Sequence, residues 1–167
     1  FGFETLCIQA GQLPDPATGA RAEPIYQTAA SVFDSCDHAA SLFNLQTFGN
    51  IYSRIMNPTN AVFEERMAAL EGGRAAVGVA SGMAAQLVAL LTIVKSGDEI
   101  VSSSTLYGGT YTQFDINFRD LGINVNFVNP DEPGNFRKAI TKKTKALFAE
   151  TISNPLGNVL DIEAVAN

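Results

Sequence analysis

Hydrophobic and polar positions alternate between two patterns in the second half of the chain. Short apolar runs are separated by longer stretches in which apolar residues recur at helical spacing. This order is typical of strand–helix units that stack into a parallel sheet. The predicted strands are AAVGV (75–79), EIVSS (99–103), NVNFV (124–128) and ALFAE (146–150). The pattern therefore predicts an α/β domain.

Helices are predicted between these runs. Residues 83–94 are uncharged and apolar on every side, which indicates a buried helix. A second helix has apolar positions at i, i+3, i+7 and i+10 followed by a glycine stop, namely Tyr111, Phe114, Phe118, Leu121 and Gly122. A shorter helix is predicted over 136–140. Each of the first three predicted strands is thus followed by a helix.

The first half of the chain has a weaker pattern. Residues 1–50 contain many turn-forming residues, which predict an arm and loops with one short helix over 37–45. We expect an arm over 1–58 that gains stability by contacting a neighbouring subunit. The first part of an α/β domain is expected over 59–167, truncated at its C-terminal end.

A clearer helix is predicted to begin at NPTN. Asn57 suits the cap position, Pro58 the first helical position, and the glycines at 72–73 end the helix. Its predicted buried face consists of Phe63, Met67 and Leu70.

Charge and cysteine content disfavour several classes of function. The chain has 11 Lys and Arg against 17 Asp and Glu, a net charge of −6, so we expect no nucleic acid and no anionic membrane as partner. The two cysteines, Cys7 and Cys36, match neither a metal-ligand spacing nor a disulfide framework. We therefore expect no metal site and a reducing, cytoplasmic location.

Two segments bear on whether the chain enters a membrane and whether it is part of a longer protein. Residues 75–94 are long enough to span a bilayer, but glycines, Ser81 and Gln86 interrupt them, so we expect no membrane span. A last helix is predicted to start at Asp161 and has fewer than two turns before Asn167. Together with Phe1 at the first position, it leads us to expect a piece of a longer protein.

The turn Ser81–Gly82–Met83 is the first candidate for chemistry. After a parallel strand such a turn faces the ligand crevice, and the helix that follows points free N–H groups and its positive dipole end into it. Ser81 adds a hydroxyl and Gly82 lets an oxyanion approach closely, which favours a phosphate cradle. A plain turn with Ser81 capping the helix fits the sequence equally well. The pattern is neither Walker A nor the dinucleotide fingerprint.

Three further candidate groups suit a planar, anionic ligand. Arg54 lies beside Tyr52 and has the planar fork that binds an oxyanion through two parallel bonds. Tyr107 precedes two glycines and can stack on a flat heterocycle. Glu150 and Asn154 leave the fourth predicted strand together. A lone arginine such as Arg54 is more often a surface residue, Tyr107 is more often packed in its loop, and Asn154 before a proline fits a simple turn, but the conjunction of these groups favours a cofactor site.

These motifs resemble the pyridoxal-phosphate (PLP) enzymes of cysteine and methionine metabolism. The resemblance runs from FETLCIQAGQLPDPATGARAEPIYQT through YSRIMNPTN, ALEGG, ASGMAA and DEIVSSSTLYGGTY to ETISNPLGN. The stretches FNLQTFGNIYSRIMNPTN and TGARAEPIYQT look most like the O-acetylhomoserine sulfhydrylase branch. The resemblance implies a fold-type I PLP-dependent transferase of the aspartate-aminotransferase-like α/β class, with an N-terminal arm and part of the large, mainly parallel-sheet domain.

The resemblance also implies roles for single residues. Tyr52 and Arg54 would reach the cofactor phosphate of a neighbouring subunit, and the turn Ser81–Gly82–Met83 would bind the phosphate of its own subunit. Tyr107 would stack on the pyridine ring and is a candidate acid/base. Glu150 would lie near that ring and Asn154 would touch its phenolic oxygen. The Schiff-base lysine and the aspartate that pairs with the pyridinium nitrogen normally lie beyond the point where this chain ends.

The reaction implied is γ-replacement on O-acetylhomoserine by sulfide or a thiol, which gives homocysteine or methionine plus acetate. A homotetramer built from dimers that share active sites is implied as well. Two alternatives stay open. One is γ- or β-elimination, as in methionine γ-lyase or cystathionine lyase, and the other is a non-catalytic domain that binds a nucleotide or acts as an interaction module.

Overall fold

The chain folds into two compact units. A computed structural model describes all residues, Phe1–Asn167. The first unit is Phe1–Gly78 and the second is Val79–Asn167. The expected division after residue 58 lies earlier in the chain than this one.

The first unit contains three helices joined by loops. They are α1 (Phe3–Gln9), α2 (Cys36–Phe43) and α3 (Pro58–Leu70). Arg66 of α3 donates from Nε to the Ala10 carbonyl at 3.0 Å, which ties α3 to the end of α1. Gly11 has φ 72, and a Cβ there would lie 2.8 Å from the Val62 carbonyl oxygen, so the close approach requires glycine. These contacts place α3 in the first unit.

The sequence pattern predicts α2 and α3 but not α1. Helix α1 has no buried residue, and Phe3 and Ile8 are 61% and 66% exposed, so no apolar stripe marks it. In α3 the predicted face is partly wrong, since Met67 and Leu70 are half-buried whereas Phe63 is 58% exposed. The reason is that α3 meets the end of α1 through Val62 and its neighbours rather than through Phe63.

The Asn57 cap of α3 is confirmed and does more than cap. Asn57 is 8% exposed, and its Oδ1 accepts from the Thr59 amide at 3.0 Å. Its Nδ2 donates to the Tyr26 carbonyl and to Ser53 Oγ, both at 3.0 Å. The side chain therefore joins the start of α3 to the turn that contains Ser53.

The second unit is a parallel sheet with helices. Its elements are α4 (Gly82–Leu91), β1 (Glu99–Ser103), α5 (Gly108–Thr112), β2 (Asn124–Val128), α6 (Gly134–Ala139), β3 (Thr144–Phe148) and α7 (Ile162–Ala166). The sheet order is β2-β1-β3, and β1 pairs in parallel with both neighbours. The α/β prediction is confirmed, and β1 and β2 have the predicted residues. Strand β3 begins and ends two residues earlier than 146–150.

The first predicted strand, AAVGV (75–79), is wrong. Its residues pair with no strand, and Val77 is 78% exposed. The Gly78 amide instead donates to the carboxylate of Glu64 at 2.7 Å. Because a strand exists through hydrogen bonds to a neighbour, an apolar run without such a partner stays irregular here.

The helices of the second unit lie close to their predicted positions in the sequence, but the burial of their side chains differs from the prediction. Helix α4 ends at Leu91 rather than at residue 94, and Val88 and Leu91 are 51% and 42% exposed while Leu90 is buried. The expectation of a helix buried on all sides is therefore wrong, since only one face of α4 packs within its unit.

No helix in the structure is both long and apolar enough to cross a membrane.

The core of the second unit lies between the sheet and the helix that follows β1. After α5 this helix continues as a π-helical turn, Gln113–Phe118, whose Phe114 and Phe118 are buried as predicted. The Phe114 ring lies 5.2 Å from the Phe118 ring and 4.8 Å from the Phe148 ring, in edge-to-face contacts. The rest of the cluster is Leu90, Val94, Ile100, Leu106 and Ile123.

Replacement of Phe114 tests the position of this core. Phe114 is 1% exposed, so Phe114→Ala should lower the free energy of unfolding by about 3–5 kcal/mol, measured by urea denaturation. The control Ile116→Ala changes a side chain of the same turn that is 51% exposed, and its effect should be about 1 kcal/mol or less. Equal effects of the two variants would contradict the assignment of the core.

Replacement of Asn57 tests the junction between α3 and the turn before it. Asn57→Ala removes the cap and leaves the Tyr26 carbonyl without its donor, so unfolding should become easier by about 1–3 kcal/mol. Asn44→Ala serves as the control, because the Asn44 side chain is exposed and forms no hydrogen bond. A thermal midpoint of Asn57→Ala equal to that of the control would refute the junction.

Candidate functional site

Three of the predicted site residues meet at one edge of the sheet. Strands β1 and β3 are parallel neighbours with Ser102 opposite Phe148, so the loops that follow them leave the sheet side by side. Glu150, in the loop after β3, accepts a hydrogen bond at Oε1 from the Tyr107 amide at 2.8 Å. Its Oε2 accepts from the Asn154 amide at 3.2 Å. One carboxylate thus joins the loops that carry Tyr107 and Asn154.

The side chain of Tyr107 is exposed at this edge. It is 51% exposed and forms no hydrogen bond, while its carbonyl accepts from the Tyr111 amide at 3.0 Å at the start of α5. A Cβ at Gly109 would lie 2.6 Å from Cε1 of the Tyr107 ring. Glycine at this position therefore allows the close approach of the ring to the backbone of α5.

The turn Ser81–Gly82–Met83 begins α4. Ser81 Oγ accepts from the Ala84 amide at 3.1 Å, and the Ser81 carbonyl accepts from the Ala85 amide at 2.9 Å. Ser81 is therefore a helix cap, as the plainer of the two interpretations predicts. The amides of Gly82 and Met83 donate to no group in the structure. Gly82 faces open space, since a Cβ there would meet nothing within 4 Å.

These two free amides can bind an anion. They lie at the positive end of a ten-residue helix, where the backbone dipoles favour negative charge. The cap and the phosphate cradle are thus compatible, because Ser81 occupies the Ala84 amide and leaves the two amides before it available.

A partly buried polar network links this turn to the helix that follows Tyr107. Gln86 of α4 donates from Nε2 to Oε1 of Gln113 at 2.7 Å, and its own Oε1 accepts from Thr110 Oγ1 at 3.2 Å. Gln113 Nε2 lies 3.5 Å from the Met83 carbonyl oxygen. Thr110 is 3% exposed. The network therefore fixes the turn Ser81–Gly82–Met83 and the helix of Tyr107 relative to each other.

The hydrophobic and polar pattern of the chain does not predict this network. Gln86 is the one strongly polar residue in the apolar stretch 83–91, and that isolation is the signal that could have pointed to a buried partner. Gln113 has no such signal, because Thr110 and Thr112 beside it are polar as well.

Tyr52 and Arg54 lie in the first unit, whereas the other predicted site residues belong to the second. The Arg54 guanidinium carbon is 5.8 Å from the centroid of the Tyr52 ring, within the range of a cation–π contact. Both side chains are exposed, and Arg54 forms no salt bridge. They line a groove of about 490 Å³ together with Phe33, Phe43 and Ile51. The guanidinium is therefore free to bind an anion.

Comparison with known proteins identifies relatives along almost the whole chain. The family described as Cys/Met metabolism PLP-dependent enzyme matches residues 4–167. O-acetyl-L-homoserine sulfhydrylase of Leptospira meyeri is 56% identical over 166 residues, which cover 99% of this chain and 38% of that protein. Homocysteine synthase of Schizosaccharomyces pombe is 53% identical over 164 residues, which cover 98% of this chain and 38% of that protein. The chain thus spans about 38% of the length of these relatives.

A solved structure shares the fold. It is a putative O-acetylhomoserine (thiol)-lyase from Campylobacter jejuni that contains N'-pyridoxyl-lysine-5'-monophosphate. Its TM-score to this chain is 0.91 at 41% identity, over 99% of this chain and 40% of that one. The predicted fold-type I architecture is confirmed. With the family match over residues 4–167, this chain belongs to the PLP-dependent enzymes of Cys/Met metabolism.

Proposed function

We propose that an intact protein containing this chain is an O-acetylhomoserine sulfhydrylase, an aminocarboxypropyltransferase of sulfur amino acid biosynthesis. It replaces the acetate of O-acetylhomoserine by sulfide or a thiol and forms homocysteine or methionine. The observation that carries the choice of reaction is the 56% identity to a protein named O-acetyl-L-homoserine sulfhydrylase, which extends over 99% of this chain.

The residues at the sheet edge and at the start of α4 fit PLP as the cofactor. The group needs donors for a phosphate dianion and a flat surface for its ring. The free amides of Gly82 and Met83, with Ser81 as the cap beside them, supply the donors at a helix N-terminus. The half-exposed ring of Tyr107 supplies the surface. Both features lie in the second unit.

Each residue then has a physical task. When bound, PLP supplies an electron sink that lets bonds at Cα and Cβ of the substrate break, so that acetate can leave from Cγ. Tyr107 stacks on the ring and moves a proton close to the reacting carbons. The Asn154 side-chain amide would donate to the phenolic oxygen of PLP, and Glu150 would lie near the ring. The Schiff-base lysine is supplied by a part of the intact enzyme that this chain does not contain.

The active enzyme is a homo-oligomer in this proposal, a tetramer built from dimers that share active sites. Tyr52 and Arg54 of one subunit reach the phosphate held by the turn at Ser81 of its neighbour. An exposed guanidinium without a carboxylate partner supports this role. Bidentate donation by arginine suits a phosphate better than the single ammonium of lysine does.

The proposed location is the cytoplasm, and the proposed substrates are small molecules. Cys7 and Cys36 are both free, which accords with a reducing compartment.

An activity assay of the intact protein tests the reaction. With O-acetylhomoserine and sulfide we expect homocysteine and acetate, and with methionine alone we expect no release of methanethiol. Omission of sulfide is the control, because replacement requires the second substrate. Methanethiol from methionine without homocysteine from the first pair would favour elimination. No visible absorbance band with PLP, or a band insensitive to borohydride, would favour a non-catalytic binding domain.

Replacement of Arg54 tests the phosphate contact. Arg54→Ala should weaken PLP binding by about 1.5–3 kcal/mol, the range for a hydrogen bond to a charged group, as measured by equilibrium dialysis. Arg74→Ala is the matched control, since Arg74 is also exposed and forms no salt bridge. Equal PLP affinity of the two variants would remove Arg54 from the site.

A further inference from the structure

The Glu150 carboxylate has a specific environment that its place near the ring does not explain. Both oxygens accept hydrogen bonds from main-chain amides, one in the loop after β1 and one in its own loop. Glu150 forms no salt bridge. The side chain is half-buried, so these two N–H groups are the partners that offset the loss of water around its charge.

The side chains of Tyr107 and Asn154, whose main-chain amides bind Glu150, have few contacts that fix their positions. Tyr107 and Asn154 form no side-chain hydrogen bonds, and both are exposed. Their positions depend on their backbones, and Glu150 holds the amide of each. Tyr107 has two further restraints, the hydrogen bond that its carbonyl accepts from the Tyr111 amide at 3.0 Å and the close approach of its ring to Gly109.

We propose that Glu150 is a positioning residue, which acts on the reaction by fixing the backbones of Tyr107 and Asn154 and not by donating or accepting a proton. This inference rests on the proposed function, because it assigns those two side chains to the PLP ring. It deepens that function by making one carboxylate responsible for the alignment of a stacking ring and an amide donor on two separate loops.

The chemistry of the side chain explains why glutamate is required. A carboxylate is acceptor-only and can receive both amides at once. Glutamine has only one acceptor oxygen, and its NH₂ group would face the second main-chain N–H. One of the two hydrogen bonds is then lost, and two donor groups lie against each other. Aspartate is shorter by one methylene and cannot reach both loops in their present positions. Glu150→Gln therefore removes one of the two bonds with almost no change in volume.

Amide hydrogen exchange of the intact protein, measured without PLP, tests the two hydrogen bonds. In the wild type the amides of Tyr107 and Asn154 should be protected. In Glu150→Gln the exchange of at least one should be faster by about tenfold or more, the factor expected for loss of a hydrogen bond to a charged group. Glu132→Gln removes the same charge from an exposed loop and should leave both rates unchanged.

Spectroscopy and kinetics of the PLP-bound enzyme test the positioning role. Glu150→Gln should alter the visible circular dichroism of bound PLP and lower kcat about tenfold or more while KM changes less. Gly109→Ala displaces the Tyr107 ring without touching Glu150, so it should alter the circular dichroism but leave the Asn154 exchange rate unchanged. Glu132→Gln should behave as the wild type in both measurements.

Two results would overturn the inference. One is unprotected amides at Tyr107 and Asn154 in the wild type, which decides the matter even when Glu150→Gln fails to fold. The other is a Glu150→Gln enzyme with unaltered exchange, circular dichroism and kcat. Failure of the wild type to bind PLP would reject the proposed function instead, because the exchange measurement needs no cofactor.

Discussion

The parallel pairing of β1 with both of its neighbours is the constraint on which the second unit depends. Ile100 and Val101 at its centre are 0% exposed, and the ladders on either side fix their register. Because the three strands run in one direction, their carboxyl ends meet at one edge, and the loops that carry Tyr107 and Glu150 emerge there together. The hydrogen bond from the Tyr107 amide to Glu150 is possible only because the sheet has already placed the two loops side by side.

The candidate anion site relies on backbone dipoles in a chain whose net charge is −6. Ser81 caps the start of α4 by accepting a hydrogen bond from the Ala84 amide. The amides of Gly82 and Met83 remain without acceptors. Such a local arrangement can bind a phosphate although the overall charge repels anions, because charge effects beyond about 10 Å are screened by salt. The network of Gln86 and Gln113 holds the turn in place, so little reorganisation would accompany the binding of a phosphate there.

Features set by local interactions could be predicted from the sequence, and features set by distant partners could not. The bounds of β1 and β2 and the Asn57 cap follow from patterns within a few residues, and the structure has them as predicted. The apolar run 75–79 has the composition of a strand, yet nothing in its sequence shows that it lacks a pairing partner in this chain. The same holds for Phe63, whose exposure depends on how α1 approaches α3. Glu150 is predicted as the last residue of a strand but lies two residues beyond the end of β3, and no nearby sequence feature indicates its two acceptor bonds.

The central claim is that the start of α4 binds the phosphate of PLP together with an arginine from a second copy of the chain. A crystal structure of the intact protein with PLP bound tests it most directly. The account predicts phosphate oxygens about 2.7–3.2 Å from the amides of Gly82 and Met83, with the Arg54 guanidinium of a neighbouring subunit on the same phosphate. A phosphate bound elsewhere, or an Arg54 directed away from every PLP molecule in the assembly, would contradict the account.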